Sequence, residues 1–153
     1  MQQADEILEV LNEKLGGTAL SWKGDHASLK IEGQYVVDLI KIDAQTVELV
    51  SLIRTFESAL NPALVTKLLA ANYQGTMTGA ARIALTPDEK LLALTRRIDV
   101  RGIDTALLEE ILGDFINYVK FWSSDDVKAF FKEELESDKG AGLENPDFIV
   151  SKV

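Results

Sequence analysis

His26 is the one imidazole of the chain, and there is no cysteine, so acid–base, nucleophilic and metal chemistry have few residues to draw on. Composition alone excludes a two-histidine zinc motif, thiolate ligands, a cysteine nucleophile and a disulfide framework. His26 follows Gly24-Asp25 in a turn with no serine elbow nearby, and reads as a solvated surface side chain rather than a base. Gly75-Thr76-Met77-Thr78-Gly79 looks like a phosphate-cradling loop. However, Ala80-Ala81 stand where Lys-Ser/Thr is required, and the order is helix to strand rather than strand to helix. Those glycines are assigned to a helix stop and a tight turn. Glu109-Glu110 and Asp125-Asp126 are neighbours on helices, where adjacent side chains diverge by about 100° and do not converge on one substrate. No alternating acidic calcium loop is present. The expectation is a protein with no catalytic residues, no metal site and no cofactor, and not an enzyme.

Charge narrows the partners. Against 16 Lys+Arg stand 25 Asp+Glu, a net charge of −9 that would repel a phosphate backbone, so no nucleic-acid partner is expected. Arg96-Arg97 and Arg101 form the only local basic cluster and are assigned to ion pairs with acidic groups. No apolar run approaches the roughly 20 residues that span a bilayer, and Met1 to Glu9 is acidic without a basic leader region. A cytoplasmic protein with no membrane partner is expected. The 153 residues, 46% of them hydrophobic, suit one domain with a sizeable core.

The elements follow from periodicity. Ala4, Leu8, Leu11 and Leu15 recur at helical spacing with Ile7 beside them, and Gly16-Gly17 supplies a stop. Thereafter the period changes to two. Ala19 to Lys23 is a possible short strand, Ser28 to Glu32 alternates cleanly, and Tyr35–Ile42 and Thr46–Phe56 are rich in β-branched residues. The two longer strands are apolar on both faces: Val37 and Leu39 oppose Val36, Ile40 and Ile42, while Val47, Leu49 and Ile53 oppose Val50, Leu52 and Phe56. A sheet with one wet face needs only one such set, so either both faces are covered within the fold or the second meets another chain.

Asn61-Pro62 opens a second helix as N-cap and first helical residue, carrying Leu64, Val65, Leu68, Leu69 and Tyr73. A hairpin follows, Ala80–Leu85 and Leu91–Arg97 about the turn Thr86-Pro87-Asp88-Glu89. In it Ile83 and Leu85 lie inward across from Leu92 and Leu94, with Arg82 and Arg96 outward. Asp104 caps a long helix bearing Leu108, Ile111, Leu112, Phe115, Val119 and Trp122. Ser123 to Asp126 restarts a helix with Val127, Phe130, Phe131 and Leu135. From Ser137 on, Gly, Asn and Pro dominate until Phe148-Ile149-Val150, a loose tail with an apolar patch. Segregated strands and helices give an α+β fold with an antiparallel sheet, order α-β-β-β-α-β-β-α plus a C-terminal helical extension. Two regions are expected: a domain over 1–122, and an extension and tail over 123–153. Apolar surplus on the first helix, beside a sheet already apolar on both faces, is the feature that suggests function, because large apolar patches mark interaction sites.

Leu68-Leu69-Ala70-Ala71-Asn72-Tyr73, Gly79-Ala80-Ala81-Arg82-Ile83-Ala84-Leu85 and Leu92-Ala93-Leu94-Thr95-Arg96-Arg97, in that order, resemble the Tir-chaperone (CesT-like) family of type III secretion chaperones. That family carries a Leu-Leu-x-Ala-Asn helix end, a Gly-Ala-x-hydrophobic strand and a Leu-x-Leu-x-Arg-Arg strand before its last helix. The resemblance implies the class I secretion chaperone fold. It also implies a homodimer that binds an extended segment near the N-terminus of a secreted effector, without ATP, and keeps it soluble and competent for export. Carried over, it places Val65, Leu68, Leu69 and Tyr73 at the dimer interface, and Leu8, Leu11, Leu15, Trp22, Leu29 and Ile31 on the effector. The alternative is a YbjN-like interaction module of the same fold with no tie to secretion.

Overall fold

A computed structural model describes residues 3–15, 19–127 and 131. A short 3-10 turn at Ala4–Glu6 leads into α1 (Ile7–Leu15), then β1 (His26–Ile31), β2 (Tyr35–Lys41) and β3 (Thr46–Thr55). Next come α2 (Pro62–Ala71), β4 (Arg82–Leu85), β5 (Leu91–Asp99) and α3 (Thr105–Trp122). The order is the one read from periodicity. Both expected caps form: Asn61 Oδ1 accepts from the Ala63 N–H at 2.8 Å, and Asp104 Oδ1 accepts from the Leu107 N–H at 2.8 Å.

The strands form one antiparallel sheet in the order β1-β2-β3-β5-β4, so β1 and β4 are its two edges. Alternation puts Ala27, Leu29, Val37, Leu39, Val47, Leu49, Leu92, Leu94 and Ile98 on one face, all buried. The helices cover this face with Ile7, Leu8, Leu64, Leu108, Phe115 and Val119, making a two-layer core. The opposite face carries Val36, Ile40, Val50 and Leu52, and no helix among the described residues lies over it. Val36 is 45% exposed and Leu52 55%. Of the two outcomes the sequence left open, a second face covered within the fold is not what the described residues form.

Three expectations change. Ala19 to Lys23 forms no strand: only Lys23 bridges back to His26, and Leu20 is held by the Asn12 side chain instead, which donates to its carbonyl (3.0 Å) and accepts from its N–H (2.7 Å). β1 accordingly starts at His26. Arg96 does not point outward. It pairs across the sheet with buried Leu49, and its guanidinium reaches Asp114 of α3 at 3.2 Å, because alternation from Leu92 and Leu94 leaves it no other face. Phe56 also changes sides. A bulge between Leu52 and Arg54 shifts the register, so Arg54 pairs with core residue Leu92 and Phe56 turns to the core side, against Phe131.

Helical backbone resumes at 125–127, and Val127 and Phe131 are buried in the same core. The Phe131 ring packs 6.2 Å from Phe56 and 6.4 Å from Trp122. Gly16-Gly17, Phe130, Leu135 and the tail from Ser137 lie outside the described residues.

Candidate functional site

The chemistry expected to be absent can be placed first. Ser28 donates to Asp38 Oδ1 at 2.6 Å, and His26 Nε2 lies 3.2 Å from the same oxygen, on the uncovered face of the sheet. The Ser28 hydroxyl is committed to the carboxylate and not to the imidazole. Among the described residues no three His, Asp or Glu side chains are grouped to hold a metal ion. No helix among them is long and apolar enough to cross a membrane.

Three apolar surfaces remain. The first is a groove of about 300 Å³ between α1, β1 and α3. Val10 and Leu11 of α1, Leu29 and Ile31 of β1, and Leu108 and Leu112 of α3 line it. Lys14 and Glu109 face each other at its rim, 3.2 Å apart and both half-exposed. The groove lies along a sheet edge whose hydrogen-bonding pattern is set by the register. The Lys41 N–H bonds the Asp25 carbonyl, so Ala27, Leu29 and Ile31 bond inward to β2 while the N–H and C=O of His26, Ser28 and Lys30 point outward. Those of His26 are taken by Lys23. Among the described residues Ser28 and Lys30 therefore offer an open strand edge beside an apolar trough.

Of the residues expected to contact an effector, the groove brings together Leu11, Leu29 and Ile31. Leu8 faces the core, 3% exposed, and does not line it. Trp22 is half-buried elsewhere, its indole N–H donating to the Asp5 carbonyl at 3.2 Å and its ring under Lys41. The Leu15 side chain lies outside the described residues. Sequence reasoning did not single out Val10; it assigned Leu108 and Leu112 to the core, where both are buried at 2% and 9% exposure while also lining the groove. Their helical spacing is the same whether they line a groove or fill an interior, so no local signal separates the two.

The second surface lies at the opposite edge. Val65, Leu68 and Leu69 of α2 meet Ile83, Leu85 and Leu92 around a small hollow of about 70 Å³. Leu68 forms the buried floor, Val65 is half-buried, and Leu69 and Tyr73, one turn apart, are 68% and 70% exposed. β4 is partly sealed there: Asn72 donates Nδ2–H to the Ile83 carbonyl (3.1 Å) and accepts the Ile83 N–H on Oδ1 (2.7 Å). The loop behind it is fixed by Gly79, at φ +61°, where an added Cβ would sit 2.4 Å from the Tyr118 ring. These two residues are the asparagine and glycine of the motifs quoted above, and their geometry explains both: one clips an edge strand, the other lets α3 approach. The third surface is the sheet face over which no described helix lies.

In fold the protein is similar to secretion chaperones of known structure. A chain of the ExsC–ExsE complex superposes with a TM-score of 0.65 at 16% identity, covering 80% of this chain and 95% of that one. The Yersinia pestis type III secretion chaperone SycH, in complex with a fragment of YscM2, superposes at 0.60 with 17% identity, over 78% and 99%. YbjN from E. coli shares the fold at 0.57 and 13% identity, over 77% and 87%. No curated protein matches in sequence. Residues 6–123 match the Tir chaperone protein (CesT) family, and the chain belongs to that family.

Proposed function

We propose that this protein is an ATP-independent chaperone for a type III secreted effector, binding an extended segment near the effector's N-terminus in the cytoplasm and keeping it soluble and competent for export. The observation that carries the reading is the trough of Leu11, Leu29, Ile31, Leu108 and Leu112 running beside the open edge of β1. An extended client adds a strand through the outward N–H and C=O groups of Ser28 and Lys30, independent of its sequence, and places alternate side chains in the trough, which supplies selectivity. Leu8 backs this wall from inside, and Trp22, which packs by Asp5 and Lys41, lies away from it. The exposed Leu69 and Tyr73, with Val65 and Leu68 behind them, join two copies about a twofold axis, as a self-complementary patch beside an edge strand allows. The acidic surface keeps a protein with such patches in solution.

The test is recovery of the client. Isolation from the native cell, with bound proteins identified by mass spectrometry, should yield a secreted effector. Lys30→Pro deletes one outward N–H without removing a sheet hydrogen bond, and Ile31→Asp charges the trough. Each should cut recovery at least about tenfold, equivalent to the roughly 1.4 kcal/mol of one good contact, with the melting temperature little changed. Recovery unaffected by both would overturn the placement. A non-secretory interaction module is the second reading, favoured by the likeness to YbjN; recovered partners with no secreted protein among them would select it.

A further inference from the structure

A strand added to β1 has two faces, and only one of them enters the trough. Side chains alternate, so the positions beside Leu29 and Ile31 are separated by positions on the opposite face of the sheet, beside Ser28 and Lys30. On that face β1 presents His26, Ser28 and Lys30, and β2 sets Ile40, Asp38 and Val36 across from them. Asp38 is already engaged: it accepts the Ser28 hydroxyl at 2.6 Å and lies 3.2 Å from His26 Nε2. Glu32, just past the strand, is held by Lys120 at 2.8 Å, and Asp25, just before it, lies 3.8 Å from Lys41. Lys30 has no such partner. It is exposed, stands across from Val36, and its ammonium makes no ion pair or hydrogen bond among the described residues. The carboxylates along this edge are thus paired, and a free cation stands on it in a chain of net charge −9.

We propose that Lys30 selects the client's sequence, favouring an acidic residue between two apolar ones. The inference rests on the reading of β1 as the site of strand addition. Whichever way the client runs, the residue opposite Lys30 shares its face, with Cβ atoms about 5 Å apart. The residues on either side of it then enter the trough with Leu29 and Ile31. An aspartate or glutamate at the middle position completes an ion pair that nothing else at this edge supplies, whereas a lysine or arginine there meets like charge. The charge also fixes register. A slip of two residues keeps every backbone bond and keeps apolar side chains in the trough, but it carries the acid from Lys30 to Ser28, beside the Asp38 carboxylate. A second copy of β1 would bring its own Lys30 to the same face, so the lysine turns away this chain's own edge as well. At physiological salt charges beyond about 8 Å are screened, and the groups on β1 itself decide the sign that the client meets.

The probe is a phage-displayed library of random twelve-residue peptides, panned on the purified full chain. Peptides enriched on the wild type should carry apolar–acidic–apolar triplets. Asp or Glu should stand at the middle position about fivefold above its frequency in the unpanned library, the ratio one cross-strand ion pair supplies at its upper end. Lys30→Gln should abolish this preference, and Lys30→Glu should replace it with Lys or Arg. Both exchange an exposed, unpaired side chain, so the melting temperature should move little. Ile31→Asp should lose the triplets altogether. Triplets with no preference at the middle position, or an acidic preference that survives Lys30→Glu, would overturn the role of Lys30 and leave the trough standing. Enriched peptides indifferent to Ile31→Asp would instead overturn strand addition beside the trough, and the inference with it.

Discussion

The side-chain amide of Asn72 bonds both backbone groups of Ile83, donating to its carbonyl and accepting from its N–H. An asparagine at the end of one helix thus does for the outer edge of β4 what another strand would otherwise do. Edge strands with unpaired backbone are open to unwanted association, and this clip closes one of them at its most buried residue. The Asn72→Ala variant loses both bonds and should cost about 2 kcal/mol in urea unfolding. Asn72→Asp should do no better, because a carboxylate cannot donate to the Ile83 carbonyl.

Gly79 is expected to be intolerant of any side chain. Gly79→Ala sets a methyl against the Tyr118 ring and adds the cost of a left-handed backbone, about 1–2 kcal/mol by itself. The combined loss should exceed 2 kcal/mol. Adding Tyr118→Leu should return only the steric part, a non-additivity that a double-mutant cycle measures.

The proposed twofold contact on α2 is separable from the core by position. Leu69→Asp replaces an exposed side chain and should leave the melting temperature nearly unchanged while converting the proposed dimer to monomer in sedimentation. Leu68→Asp buries a charge at a site 5% exposed and should unfold the monomer instead. A Leu69→Asp variant that still sediments as a dimer would remove α2 from the interface.

Asp99 carries a pH signature. Hydrogen bonds from the Arg101 side chain and backbone N–H hold its carboxyl at a pKa of about 2, below the usual 3.8. A depressed folded-state pKa stabilises the fold above the unfolded value near 4, and that contribution disappears as pH falls toward 2. Arg101→Ala should raise the Asp99 midpoint toward the ordinary range in a carboxyl NMR titration, and should flatten the loss of stability between pH 4 and 2.

The element order was legible because its signals are local. Asn61-Pro62 and Asp104 announce helix starts by their own chemistry, and two-residue alternation marks the strands whatever they pair with. What escaped depends on distant contacts. Nothing within β3 reveals the bulge that turns Phe56 to the core side, since the extra residue is defined only against β5. Arg96 looked outward because an arginine is seldom placed on a core face, yet Asp114, eighteen residues on, makes that position tenable. The groove was legible in part: the family resemblance points to Leu11, Leu29 and Ile31 and equally to Leu8, and only contacts distant in sequence separate the side chains that line the trough from Leu8, which does not. Asn12 and Asn72 carried no sequence signal for their paired clips, because each acts on a residue eight or eleven positions away.

The strand order sets β1 and β4 four interstrand steps apart, about 19 Å at 4.8 Å per step. Two copies meeting at α2 and β4 would hold their troughs at the far ends of the assembly, roughly 40 Å from one another. An extended polypeptide covers at most about 3.5 Å per residue, so a single client occupying both troughs needs a dozen or more residues of chain between its two anchoring stretches. The assembly would act as a ruler, rejecting short segments by geometry before any side chain is read.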